Sequence, residues 1–196
     1  MKEDEHLQSF LAIPGKDNGF DIEGLAVSGE QIFLRLRGPV LRGWALILEV
    51  ILDVDLEQPA TLTLKPIGLK ERLYQKHFLD LGGLDIQDLA VQGADLLILA
   101  GPSMDLDGSV TLVRWPGGIA PEGESMVSAA QLQQVMKVLY GHGDDYPEDI
   151  TLFAPDGGTA NSVLVVYDSA SVARHIGDST VAADVFLMPA TSVKKT

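Results

Sequence analysis

The chain repeats itself, and that feature limits its folds more than any other. Asp21-Ile22-Glu23-Gly24-Leu25-Ala26-Val27 returns 64 residues later as Asp85-Ile86-Gln87-Asp88-Leu89-Ala90-Val91. A weaker third copy, Pro147-Glu148-Asp149-Ile150-Thr151-Leu152, follows 61 residues after the second (Gln87 to Glu148). The likeness runs on past the motif. Ser28-Gly29 predicts a turn before a strand over 31–37 that ends at Gly38-Pro39. Gln92-Gly93 and the strand 95–100 do the same up to Gly101-Pro102, now at an offset of 63, which the sequence reads as one residue lost in the turn. In the third copy Pro155-Asp156-Gly157-Gly158 is the turn and 162–167 the strand.

The remaining segments fit the same plan. Third strands are predicted at 44–52 and 109–115, and fourth strands at 74–81 and 133–140, each of these leading into a glycine-rich turn. A like strand at 7–13 precedes the first copy, and 181–188 closes the third. These segments are short, rich in Val, Ile, Leu and Phe, and bounded by Gly, Pro and Asp, which is strand chemistry. A brief helix is expected at 128–133, where Ser128 and Gln131 have capping-box spacing, with a strand after it. Four strands per unit, repeated, is the signature of a β-propeller with long connections. The expectation is all-β: about three four-stranded blades in one propeller-like unit spanning 1–196, with repeats near 15–81, 82–140 and 141–190. Three blades do not close a ring, because propellers typically have four to eight. The unit therefore calls for either a homodimer completing a six-bladed ring or a missing half.

Composition removes whole classes of function. Fourteen Lys and Arg against 28 Asp and Glu give a net charge of −14. No nucleic-acid partner is expected, because binding phosphate backbones needs a basic surface. Anionic membrane surfaces are disfavoured for the same reason. There is no cysteine, so disulfides, thiolate metal sites and cysteine nucleophiles are excluded. No apolar run approaches the roughly 20 residues of a membrane helix. If Met1 is the natural start, the protein is expected in the cytoplasm; if Met1 is a boundary, export stays open. Both termini read as frayed tails.

Candidate sites follow from the repeat. Glu23, Gln87 and Glu148 hold equivalent positions at the start of first strands, which line the central channel of a propeller. With Asp21, Asp85, Asp88 and Asp149 nearby, they are candidate oxygen ligands for Ca²⁺ or Mg²⁺. The competing reading has each carboxylate cap its own turn or pair with an arginine. Arg35 and Arg37 lie two apart on one strand, where the second repeat is read as Ile98 and Ala100, and Arg42 follows in the loop. Guanidinium suits a carboxylate or phosphate ligand, but in a chain with twice as many acids as bases internal neutralisation is the favoured reading of these residues. His142, beside Asp144 and Asp145 in a glycine loop, is the one histidine near the expected channel rim. His6, His77 and His175 are scattered without metal-ligand spacing. The segment 105–108 reads as a hairpin turn. Trp44 and Trp115 read as core.

Asp21-Ile22-Glu23-Gly24-Leu25-Ala26, Leu36-Arg37-Gly38-Pro39-Val40-Leu41-Arg42-Gly43-Trp44-Ala45, Leu97-Ile98-Leu99-Ala100-Gly101-Pro102 and Val165-Val166-Tyr167-Asp168 together resemble the uncharacterised bacterial family catalogued as domain of unknown function 3616. The resemblance covers most of the chain and implies a propeller-like fold, with this chain matching the C-terminal half of longer members. The family's third repeat tends to read Glu-Gly-Ile where this chain has Glu148-Asp149-Ile150. The Glu-Gly-Leu element is also similar, over a short stretch, to phytase-like esterase and calcium-associated propellers. Two functions remain. One is a propeller scaffold that binds a small molecule or protein partner at its channel face through Glu23, Arg35, Arg37, Arg42, Asp88, Asp149 and His142. The other is a metal-assisted hydrolase of phosphate esters or other esters, with Glu23, Gln87 and Glu148 on the metal.

Overall fold

The computed structural model describes residues 1–15, 18–41, 43–54, 57, 60–102, 108–155, 157 and 160–189. The described residues form an all-β structure of several sheets, with single 3-10 turns in place of longer helices. Sheet 1 is an antiparallel run of β1 (Asp21–Ser28), β2 (Gln31–Leu41), β3 (Trp44–Val54) and β5 (Gln75–Leu79). Short β4 (Leu62–Leu64) pairs with the far end of β3. Sheet 2 repeats the arrangement with β6 (Asp85–Gln92), β7 (Asp95–Gly101), β8 (Val110–Trp115) and β10 (Gln133–Val138). From the connection within sheet 2, β9 (Ser125–Val127) crosses over to pair in parallel with β5. Sheet 3 has three strands, β11 (Tyr146–Phe153), β12 (Ser162–Asp168) and β15 (Asp184–Leu187), where four were expected. The segment 181–188 is not one strand. β13 (His175–Ile176) and β14 (Thr180–Val181) form a separate hairpin, held where the Ala182 N–H donates to the Arg174 carbonyl, and pairing with β12 resumes only at Asp184.

The hairpins β1–β2 and β6–β7 turn on two residues. Gly29 and Gly93 open those turns at φ +61°, a conformation that costs glycine nothing sterically. Pairing across both turns keeps the offset of 64, from Ser28↔Gln31 to Gln92↔Asp95. The residue gained or lost is therefore not in the turn. It is Arg37: Ile22 faces Leu36 and Asp21 faces Gly38, whereas Ile86 faces Ala100 and Asp85 faces Gly101. The register also makes Leu99, not Ile98, the counterpart of Arg35, since Gly24 faces Arg35 and Asp88 faces Leu99.

The sheets stack face to face in chain order, and side-chain alternation along β7 shows how. Leu96, Ile98 and Ala100 join Ala26, Phe33, Ala45 and Ile47 of sheet 1. Leu97 and Leu99 face the other way, onto Ile150, Val163 and Val165 of sheet 3. Covered on both faces, β7 reads as an unbroken apolar run. Each leucine so buried contributes about 1.5–3 kcal/mol. β6 lies between β1 and β11, so the three first strands are neighbours.

The expected strand at 7–13 is absent; a 3-10 turn spans Gln8–Phe10. Its cause is Asp4, whose Oδ1 accepts the N–H groups of His6 and Leu7 while its carbonyl accepts that of Gln8. An Asp side chain that satisfies local backbone donors competes with extended structure. The curl drops Leu7, fully buried, onto Leu36, Leu46, Leu48 and Tyr74 on the outer face of sheet 1. At Ser128 the expected capping box is present. It starts a 3-10 turn over Ala129–Gln131 that gives way to β10.

Candidate functional site

Each first strand carries a β-bulge at the same place. Register shifts fall between Ile22 and Gly24, Ile86 and Asp88, and Pro147 and Asp149. The bulged residues are Glu23, Gln87 and Glu148, the triplet that the repeat singles out. A bulge leaves its extra residue unpaired and re-aims the side chain. Here all three turn toward one guanidinium. Arg35 Nη1 donates to Glu23 Oε2 at 3.2 Å, Arg35 Nη2 donates to Gln87 Oε1 at 3.3 Å, and Glu148 Oε1 lies 3.8 Å from Nη2. Arg35 Nε donates to the Ile86 carbonyl, so one side chain from sheet 1 reaches all three sheets.

The sequence makes room for this hub in a specific way. Gly24 faces Arg35 across the β1–β2 ladder, and a Cβ on Gly24 would lie 3.2 Å from Arg35 Cδ. In sheet 2 the same pair is Asp88 and Leu99, and there Asp88 makes the link to the next sheet by accepting the Ile150 N–H at 2.8 Å. Gly24 with Arg35 thus replaces Asp88 with Leu99 as the sheet-to-sheet connector. The third pair, Asp149 and Val166, ends the stack, and Asp149 is exposed.

Around the hub is a small polar cleft of about 110 Å³, lined by Glu23, Arg35, Arg37, Asp85, Gln87, Glu148 and Asp168. Arg37 Nη1 donates to the second oxygen of Glu23 at 2.8 Å. Both arginines are therefore neutralised by the chain's own carboxylates. Asp85 is buried, with its Oδ1 accepting the Ile86 N–H, and burial pushes its carboxyl up to about 6 against the pull of Arg35 and Arg37. Burial also raises Glu148 and Asp88 above the usual carboxylate range. The lining is rich in acceptors, with four carboxylates to two guanidiniums.

Of the residues expected at the site, Glu23, Arg35, Arg37, Gln87 and Glu148 come together in this cleft. Asp88 works beside it as a sheet connector. Asp149 and His142 do not line it; His142 is exposed in its loop, edge-on to Tyr140. Arg42 and positions 105–107 lie outside the described residues. Among the described residues no group of three or more His, Asp or Glu side chains is arranged to hold a metal ion. At the meeting point of the triplet stands a guanidinium. Sequence reasoning undervalued Asp85, which the repeat aligns with Asp21, and did not single out Asp168.

A second polar cluster rests on a histidine that sequence reasoning set aside. His77, fully buried, bonds Ser125 Oγ through Nδ1 at 2.9 Å and Glu49 Oε2 through Nε2 at 3.0 Å. Gln31 Nε2 donates to the other Glu49 oxygen. The order serine–histidine–carboxylate resembles a nucleophile relay, but the ring lies in the core beside Trp115 and joins β3, β5 and β9. In that position it is a clamp on the crossover strand.

No helix among the described residues is long and apolar enough to cross a membrane. Residues 1–184 match the family described as Protein of unknown function (DUF3616), and at that coverage the chain belongs to the family. No curated protein and no solved structure matches it.

Proposed function

We propose that this DUF3616 chain is a β-propeller scaffold whose three sheets are consecutive blades, and that it binds a small polar ligand where the first strands meet. The observation that carries this is the convergence of three equivalent bulge residues, Glu23, Gln87 and Glu148, on Arg35. Blade-by-blade repetition sends equivalent positions of inner strands to one axis, and bulges next to binding sites commonly re-aim side chains. The lining favours a ligand that donates hydrogen bonds or carries a cationic amine. An anion finds Arg35 and Arg37 already occupied by Glu23 and meets the carboxylates of Asp85, Glu148 and Asp168 as well.

Calorimetric titration with ethylenediamine, against sodium phosphate, CaCl₂ and MgCl₂, tests this reading. Saturable binding of the amine, weakened at least tenfold by Glu148→Gln, is the expected result. Phosphate binding without amine binding would reverse the ligand class, and tight Ca²⁺ or Mg²⁺ binding would restore the metal reading.

The hydrolase reading rests on Asp85, a buried carboxyl that lines the cleft with Arg35 and Arg37. Asp85, with a carboxyl at about 6, exchanges its proton near neutral pH beside two guanidiniums. A phosphatase and esterase screen with and without Ca²⁺ decides it. Turnover that is lost in folded Glu23→Gln protein supports an enzyme, and a null screen supports the scaffold.

A further inference from the structure

The stack of sheets has two ends, and each leaves an apolar face uncovered. At one end is the far face of sheet 3, where Phe153, Val166, Val185 and Leu187 are 37%, 45%, 46% and 69% exposed. They alternate with Leu152, Val165 and Phe186, which point into the core shared with sheet 2. At the other end is the far face of sheet 1. The N-terminal segment covers part of its β2–β3 area, where Leu7 packs on Leu36, Leu46 and Leu48, but Leu25 and Val27 of β1 stay 54% and 53% exposed. A groove of about 420 Å³ opens there, lined by Val27, Ile32, Leu52 and Leu62, with Glu30 and Asp53 also on its wall.

The repeat says what covers these faces. By register, Leu25 and Val27 are the counterparts of Leu89 and Val91, which pack against sheet 1. Leu164 and Val166 are the counterparts of Leu97 and Leu99, which pack against sheet 3. The exposed rows on β1 and on sheet 3 are therefore two sides of a contact that the chain already makes twice within itself, while Leu36, the counterpart of Ala100, is already covered by Leu7. Their rows match in level. Phe153, Ser162 and Leu187 stand side by side at the same height as Ser28, Gln31 and Ile51, next to the groove. The polar link matches too. Asp149 is the counterpart of Asp88, and Leu25 is the counterpart of Ile150, whose N–H Asp88 accepts.

We propose that a second copy of this chain covers both faces at once. Sheet 3 of each copy packs on sheet 1 of the other, and Asp149 accepts the Leu25 N–H across each junction. The proposal rests on the propeller reading: three blades per chain make six for two chains, within the four to eight that close a ring. A head-to-tail contact whose rotation closes gives a finite dimer with two identical junctions.

Light scattering on the full chain measures the mass against 21.0 kDa for one copy. The expected result is twice that mass. Leu187→Asp and Val27→Asp, both at exposed positions, each give a monomer with an unchanged circular dichroism spectrum. Mixing the two variants restores the dimer, because one of its two junctions is then intact on both sides. A monomeric wild-type chain, an assembly larger than two, or a dimer indifferent to Val27→Asp (the mark of sheet 3 packing on its own copy) would each overturn the proposal. The ethylenediamine titration on the monomeric variants reports on the ligand site separately, so failure to pair is distinguishable from failure of the binding reading.

Discussion

Arg35 shows how much can depend on one substitution within a repeat. Its position in the next copy is Leu99 and in the last Val166, both apolar. Only 3% exposed, it bonds Glu23, Gln87 and the Ile86 carbonyl, with Glu148 close by. Removing one partner of a buried charge network leaves the others uncompensated, at about 3–5 kcal/mol when all are fully buried. Glu23 and Glu148 keep some contact with water, so Arg35→Met is expected to cost less, about 2–4 kcal/mol, in urea denaturation. Arg37→Met, at a site that is 30% exposed, should cost under about 1 kcal/mol. Equal effects would contradict the hub. Asp85 adds a pH signature. Its carboxyl is raised from 3.8 to about 6 in the fold, so between those values the folded state holds a proton that the unfolded chain has released. The contribution of Asp85 is thus fully present below the unfolded value and is lost as pH rises through about 6. Asp85→Asn should flatten that stretch of the stability profile while leaving the protein at least as stable at pH 7. A steeper profile in the variant would show the assignment to be wrong.

At the scale of elements, the strands were legible because they carry the signals that local physics responds to: short apolar runs, glycine at tight turns and a repeated order. What misled was polar chemistry acting at a distance. Residues 7–13 have the composition of a strand, yet Asp4 binds their first backbone donors and Lys76 and Tyr74 hold Asp4 in turn. Lys76 is 1% exposed, with Nζ 2.9 Å from Asp4 Oδ2. Burial by itself would raise the Asp4 carboxyl; the hydrogen bonds from Lys76, the His6 N–H and Tyr74 outweigh it and bring it down to about 2. Asp4 therefore stabilises the fold above its unfolded value of 3.8, and that stability is lost as pH falls through about 2. Asp4→Ala leaves the buried Lys76 ammonium with Glu124 Oε1, 3.9 Å away, and the His6 ring, and should cost about 2–4 kcal/mol, with residues 1–13 becoming the first site of protease cleavage. Retained protection of that segment would mean that Leu7 alone holds it. A close backbone approach gives a further check. A Cβ on Gly38 would run into the Gly19 carbonyl oxygen, so Gly38→Ala should destabilise by about 2–4 kcal/mol in thermal melts. A neutral outcome would show that the two loops can part freely.

For the whole molecule, the repeat drew attention to Glu23, Gln87 and Glu148, because equivalent residues of packed, equivalent units come near one another. It could not say what they would meet. Carboxylates in a triplet suit a cation, and only the three-dimensional register shows that Arg35 already stands between them, with Gly24 making room. The His77 clamp was hidden for a similar reason: Glu49, His77 and Ser125 are far apart in sequence and meet only because β9 crosses back to sheet 1. An acceptor-rich cleft lies where β1, β6 and β11 come together. Titration of the folded chain with ethylenediamine, wild type against Glu148→Gln, tests that claim most directly. The account predicts saturable binding by the wild type, weakened at least tenfold in the variant, and no binding of phosphate by either. Phosphate binding in place of the amine, or no binding of either probe, would contradict it.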